Sequence, residues 1–298
     1  MSILILGSKG YIGKKLHSRL HSKQQIVFGL SREGNNFYLS QIDSNQLEII
    51  VWSGQFNDLE SVLQKLNISK IINLAGSTLK ETNLNSISRL CKDNIEFTAQ
   101  MGFIATQLKV KHYIYASTYS TSTNGEYYYP QTFYAASKKA AEDTLLFFSQ
   151  SMNLKVTILN FYDVYGPHQP HKRIVNVIIS ALLEDKTLQI SLGNQEINLV
   201  YIEDALDACE LVLEDQELNT GTRWCHYTVA GTEVFKVRDL PNIIGEIARK
   251  KWSPNQVQKI VPDRHNEIWV YKPVHPIVPN FIPKVNFADG ISNILRSY

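Results

Sequence analysis

Four apolar residues, Ile3-Leu4-Ile5-Leu6, run directly into Gly7-Ser8-Lys9-Gly10-Tyr11-Ile12-Gly13, and a helical pattern follows over 11–22. Strand, glycine turn and helix in that order leave few folds open. Gly7 permits the tight turn, Gly10 lets backbone N–H groups approach a pyrophosphate, and Gly13 lets helix and strand pack closely. The helix N-terminus then faces the phosphates, with Lys9, Tyr11 and Ile12 in the same turn. The expected ligand is a dinucleotide.

Short β-rich runs and helix-period segments alternate beyond this turn. Strands are expected at 26–31, 48–52, 70–74, 112–116 and 155–161, and helices at 58–66, 86–108 and 135–152. Strands of four to seven residues separated by helices predict an α/β, doubly wound parallel sheet covered on both faces. After Gly166 the alternation weakens and prolines gather at Pro262, Pro273, Pro276, Pro279 and Pro283. The expected division is a dinucleotide-binding domain over 1–163 and a smaller substrate domain over 164–298, with helix 203–213 returning to the first.

Composition narrows the partners. A net charge of +2 over 298 residues is too small to imply nucleic acid or an acidic membrane. Cys91, Cys209 and Cys225 form no C-x-x-C pair, which argues against a disulfide framework or zinc site and suits the cytoplasm. No run of 18 apolar residues exists, so no membrane span is expected. The apolar start lacks a preceding basic region and reads as a strand rather than a leader. His168 and His171 have no ligand partners at metal spacing, so no metal is expected.

Two sites carry the chemistry. Where an NAD site expects an acid at the end of the second strand, the chain has Ser31 followed by Arg32. A guanidinium can grip a phosphate with two N–H groups, and Lys9 stands in the adjoining turn, so NADP(H) is the expected cofactor. The second site is Tyr134-Ala135-Ala136-Ser137-Lys138, at the start of a helix. Residues four apart are neighbours there, so the Lys138 ammonium is expected to lower the Tyr134 pKa and let the hydroxyl exchange a proton. Tyr11 and Lys15 share that spacing, so position must discriminate. Tyr134 follows a strand ending in Ser117-Thr118, at the strand edge where open sheets bind ligands.

These motifs resemble the extended branch of the short-chain dehydrogenase/reductase superfamily, the branch of nucleotide-sugar epimerases and dehydratases, over nearly the whole chain. Asn73-Leu74-Ala75-Gly76 is similar to the segment lining the cofactor, and Asn94 to an asparagine supporting the active site. Tyr115-Ala116-Ser117-Thr118 resembles the strand bearing the catalytic hydroxyl, and its register selects Thr118. Phe161-Tyr162-Asp163-Val164-Tyr165-Gly166-Pro167 resembles the segment passing the nicotinamide, with Phe161 and Val164 at the cofactor and Asp163 at the substrate. Val200-Tyr201-Ile202-Glu203-Asp204 resembles a later Tyr-x-x-Asp-type motif. By the same resemblance Lys138 also holds the nicotinamide ribose and Thr118 polarises the substrate carbonyl.

The departures are specific. Gln55, followed by Phe56, replaces the family's acid on the adenine side, and Asp163 replaces its usual asparagine. Glu196-Ile197-Asn198 stands where many members carry an arginine for the nucleotide diphosphate. That role, if filled, falls to Lys172 or Arg173, Arg223 or Arg264, or else the substrate is not a nucleotide sugar. Tyr119-Ser120 replaces the Asp-Glu pair of dehydratases, so dehydration is not expected. What remains is a reductase using NADPH on a sugar keto group, C4 of a 4-keto-6-deoxy nucleotide sugar, ahead of an epimerase with retained cofactor and a non-catalytic NADP-binding regulator. Tyr127-Tyr128-Tyr129-Pro130 reads either as a platform for a base or sugar or as a loop. Leu145-Leu146-Phe147-Phe148 makes its helix apolar all round, which together with the resemblance points to a homodimer.

Overall fold

One eight-stranded sheet organises the chain in a computed structural model that describes residues 2–33, 36–43, 46–52, 56–79, 81–122, 124–170, 173–214, 222–259 and 270–298. Chain order runs β1 (Ser2–Leu6), α1 (Tyr11–Ser22), β2 (Ile26–Glu33), β3 (Asn36–Asp43), β4 (Gln46–Trp52), α2 (Phe56–Lys65), β5 (Ile68–Asn73), α3 (Leu84–Leu90), α4 (Phe97–Gln107), β6 (His112–Thr118), α5 (Phe133–Met152), β7 (Val156–Phe161) and β8 (Asp163–Tyr165). There follow α6 (Ile174–Leu183), β9 (Leu188–Ile190), β10 (Glu196–Tyr201), α7 (Ile202–Glu214), β11 (Trp224–Val229), β12 (Val234–Lys236), α8 (Leu240–Ala248), β13 (Val257–Lys259) and α9 (Phe287–Leu295). The large sheet has the order β11-β7-β6-β5-β1-β2-β3-β4, parallel from β11 to β2. All five residues of β1 and all six of β7 are buried, as a parallel strand covered on both faces requires.

Two expectations need correction here. Strand β3 was not foreseen; it pairs antiparallel with both β2 and β4 and so separates them. The signal was the dipeptide Gly34-Asn35 between two β-rich runs, a hairpin signature. The expected continuous helix 86–108 is also interrupted: α3 gives way to a π-helical turn over Cys91–Glu96 before α4 begins. Such a turn re-aims side chains, and Asn94 sits inside it.

The chain leaves the large sheet at Phe161, and Asp163 opens a three-stranded sheet of order β12-β10-β8. It then returns twice. Helix α7 packs on α1 through Arg19–Asp207 at 2.7 Å and Lys23–Glu210 at 2.8 Å. Strand β11 adds to the edge of the large sheet beside β7. A cut at 163 therefore does not separate the two layers. Buried Asp204 ties in the C-terminal segment by accepting from the Lys284 and Val285 backbone N–H groups at 2.8 and 3.2 Å. Among the described residues no helix is long and apolar enough to cross a membrane.

The fold also buries neutral imidazoles. His112 opens β6 with Nε2 2.8 Å from the Thr157 hydroxyl, and burial lowers its pKa to about 3. His226 and His275 stack at 3.4 Å between centroids, and burial lowers them to about 2 and about 4. A histidine whose folded pKa lies below its unfolded value binds more protons in the unfolded chain. Stability is therefore lost as pH falls from about 6.5 toward the folded pKa, at up to about 1.4 kcal/mol per pH unit for each such group. Urea denaturation midpoints should fall steadily between pH 6.5 and 4.5. Midpoints that stay level over that range would contradict neutral burial of these rings.

Candidate active site

The glycine turn shapes one wall of a cleft. Gly7 has φ +80°, and a Cβ there would stand 2.8 Å from the Ala75 backbone nitrogen. A Cβ on Gly13 would lie 2.2 Å from the Gly7 carbonyl oxygen, so α1 meets β1 at a separation only glycine allows. Gly10 caps α1 with no side-chain hydrogen bond. The cleft, about 280 Å³, brings together Gly7, Lys9, Gly10, Ser31, Leu74, Ala75 and Gly76 of the residues selected from sequence. Leu30, Ser77, Arg89, Asp93 and Phe97 also line it, and sequence reasoning missed them. Arg89 and Asp93 carry an i, i+4 charge pattern within the expected helix 86–108, but the sequence reading gives neither a role of its own.

Other selected residues stand elsewhere. The Tyr11 hydroxyl donates to the Pro167 carbonyl at 3.0 Å, and the Lys15 nitrogen lies 5.7 Å from the Tyr11 ring centroid. Ile12, Phe161 and Val164 pack with the apolar core. Gln55 lies outside the described residues, as do the side chains of Arg32 and Phe56.

The second group of residues adjoins the cleft at Gly76. A Cβ there would stand 2.8 Å from Asn94 Oδ1 and 3.6 Å from Lys138 Nζ. Asn94 accepts from the Ser77 N–H at 2.8 Å and donates to the Ser137 hydroxyl at 2.8 Å, which ties the loop after β5 to α5. Thr132 caps α5 by accepting from the Ala135 N–H at 3.1 Å, which places Tyr134 in the first turn. The Tyr134 hydroxyl is hydrogen-bonded to Thr118, at the end of β6. Thr118 Oγ1 also lies 2.9 Å from the Ser120 hydroxyl.

The electrostatics depart from the expected lysine effect. Burial pushes the Tyr134 hydroxyl up to about 12 rather than down. Among charges, Arg173 lowers it and Asp163 raises it. Lys138 points elsewhere, with its nitrogen 4.1 Å from the Tyr115 ring centroid. Burial lowers Lys138 to about 7, against the opposing charge of Glu142. Glu142 is itself fully buried, accepts from Ser117 and pairs with Lys139 at 3.3 Å. Helical spacing made Tyr134 and Lys138 neighbours, but it did not fix where a four-carbon side chain ends. In a dry site desolvation outweighs one distant charge.

Asp163 sits in a knot of tyrosines. Tyr119 donates to its carboxylate at 2.9 Å, and the Tyr271 hydroxyl lies 2.6 Å from that of Tyr119 and 3.4 Å from Asp163. The Tyr119 ring stacks on Tyr162 at 4.7 Å. Glu196 reaches the same region by accepting from the Tyr271 N–H at 3.2 Å. Asn198 instead braces the Gly231 loop, donating to Gly231 O and accepting from Gly231 N at 2.9 Å each. Of the four basic candidates for a diphosphate, Arg173 caps α6 near Tyr134. Arg223 binds Asn153 at 2.5 Å at the opposite edge of the sheet, where Trp224 pairs with Val156. Lys172 and Arg264 lie outside the described residues.

Comparison with known proteins agrees with this architecture. Protein CapI of Staphylococcus aureus is 22% identical over an alignment of 334 residues covering all of this chain and 98% of that protein. The structure of MoeE5 in complex with UDP-glucuronic acid and NAD superposes with a TM-score of 0.84 at 19% identity, covering all of this chain and 98% of that one. The UDP-glucuronic acid 4-epimerase of Bacillus cereus, also in complex with UDP-glucuronic acid and NAD, superposes at 0.80 with 21% identity and the same coverage. At those identities the structures establish a shared fold. The sequence model described as the NAD dependent epimerase/dehydratase family matches residues 3–230, from the first strand through the cleft, Tyr134 and the returning strand β11, and the chain belongs to that family.

Proposed function

We propose that the protein is an oxidoreductase that uses NADPH to reduce a sugar keto group, at C4 of a 4-keto-6-deoxy nucleotide sugar. The observation that carries this reading is Tyr134, a hydroxyl kept protonated by burial and hydrogen-bonded to Thr118 beside the cleft. The cleft suits a dinucleotide, with close-packed glycines at its turn and the Lys9 cation on its wall. Bound nicotinamide supplies or accepts hydride. Gly7, Gly10, Ala75 and Gly76 border the dinucleotide, and Thr118 polarises the carbonyl. Tyr134 gives its proton to the oxygen as negative charge develops there. An alkoxide is a far stronger base than a phenolate, so a phenol that stays protonated at neutral pH is suited to this direction.

One departure from the family supports reduction over dehydration, and a second supports NADPH as the cofactor. Tyr119 follows Thr118 in place of an acid, and its hydroxyl is already engaged by Asp163. Ser31 stands in the cleft where an acid would exclude a 2′-phosphate. The epimerase reading keeps a specific support in the likeness to the Bacillus cereus enzyme. In either case we read the exposed Phe103 and Phe147 as a surface covered by a second copy of the chain.

Anaerobic incubation with NADPH and a panel of keto nucleotide sugars separates these readings. A reductase consumes one NADPH per sugar, whereas an epimerase interconverts sugars with no net change at the nicotinamide band. Calorimetry should give tighter binding of NADPH than NADH, and Arg32→Ala should weaken NADPH roughly ten- to a hundredfold while sparing NADH. Equal affinity of the wild type for both would remove the NADPH assignment.

A further inference from the structure

Arg89 and Asp93 line the cleft together with the glycine turn, and neither was given a role in holding the cofactor above. Asp93 is buried, only 6% exposed, so its charge needs partners. It accepts from the Ser77 hydroxyl, and Arg89 Nε lies 2.5 Å from the same carboxylate oxygen. Ser77 is itself fixed by Asn94, which accepts from its N–H at 2.8 Å and donates to its carbonyl at 3.1 Å. The Arg89 side chain, by contrast, is 63% exposed. Among the described residues Asp93 engages Nε alone, which leaves the two terminal nitrogens of the fork available to a ligand. A guanidinium oriented in this way forms a rigid, two-pronged anion grip.

The sheet order indicates which anion. Ser77 follows β5, and β5 lies on one side of β1 while β2, which ends near Ser31, lies on the other. A phosphate on the ribose 2′-oxygen belongs to the β2 side. The bridging pyrophosphate belongs over the glycine turn that follows β1, between the two. We propose that Arg89, steered by Asp93 and Ser77, grips the pyrophosphate of the dinucleotide. The pyrophosphate is common to both nicotinamide dinucleotides, so Arg89 serves affinity for the class, while the choice between its members is made on the β2 side. This inference rests on the dinucleotide reading of the cleft.

Calorimetric titration of the purified protein with NADPH and, separately, with NADH tests it without any substrate. Arg89→Ala should weaken both by the same factor, roughly ten- to a hundredfold. Arg89→Lys, which keeps the charge and loses the fork, should recover only part. Lys92→Ala removes a cation of the same helical segment that does not line the cleft, and it should leave both affinities unchanged. A wild type that binds neither dinucleotide would defeat the cofactor reading itself. A wild type that binds, beside an Arg89→Ala protein of equal affinity, would overturn the role given to Arg89. Loss confined to NADPH would overturn it too, by moving the contact to the 2′-phosphate.

Discussion

Replacing Tyr134 by phenylalanine is expected to lower turnover by about 10²–10⁴-fold, the usual contribution of a positioned proton donor. The change removes one hydroxyl and leaves the ring, so the first turn of α5, capped by Thr132, should persist. Dinucleotide affinity should be almost unchanged, because the cleft is lined by the glycine turn and the loop after β5 rather than by Tyr134. Tyr11→Phe is the matched control. Tyr11 has the same spacing to a lysine, but its hydroxyl is engaged by the Pro167 carbonyl, so its loss should cost far less. Stopped-flow and steady-state rates with NADPH, together with a binding titration of each variant, give the comparison. A Tyr134→Phe enzyme with full turnover would mean that another group donates the proton.

Phe147→Glu is expected to turn a dimer into a monomer. The run Leu145-Leu146-Phe147-Phe148 suggested a helix buried on every side, but within one chain this is true only in part. Leu145 and Phe148 are buried, and Phe148 packs where Gly102 of α4 leaves room, a Cβ there falling 2.7 Å from its ring. Phe147 remains 55% exposed and Phe103 of α4 46% exposed. Large apolar groups on two packed helices are stabilised when a second copy covers them. In a two-fold interface each substitution occurs twice. Burying two unpaired carboxylates at about 2 kcal/mol or more each would weaken association roughly a thousandfold. Sedimentation velocity at micromolar concentration should show a wild-type dimer and a folded Phe147→Glu monomer. A monomeric wild type would refute the interface.

Much of the architecture was legible because local rules and the global fold agreed. The strand, glycine turn and helix at 3–22 were read at their observed places, since a buried parallel strand must be apolar throughout and only glycine fits where α1 meets β1. The helix bearing Tyr134 and Lys138 and the strand ending in Thr118 followed from periodicity in the same way. Strand β3 was missed because its pattern, Asn-Phe-Tyr-Leu-Ser-Gln-Ile-Asp, alternates only weakly and its one clear cue is a dipeptide turn.

The sequence by itself determined the order of the elements, the close-packed turn and the residue types available for proton transfer, because these depend on backbone sterics and on spacings of a few residues. Only the tertiary structure decided how those groups are charged and aimed. Tyr134 is raised rather than lowered because desolvation outweighs the charges that reach it, Arg173 lowering and Asp163 raising its pKa, and both come from distant parts of the chain. Asn94 reaches Ser77 and Ser137 through a π-helical turn that helical periodicity does not reveal. Arg89 faces the cleft because Asp93 and Ser77, 16 residues apart, meet there. Desolvation and long-range hydrogen bonding are properties of the assembled interior, and no window of sequence contains them.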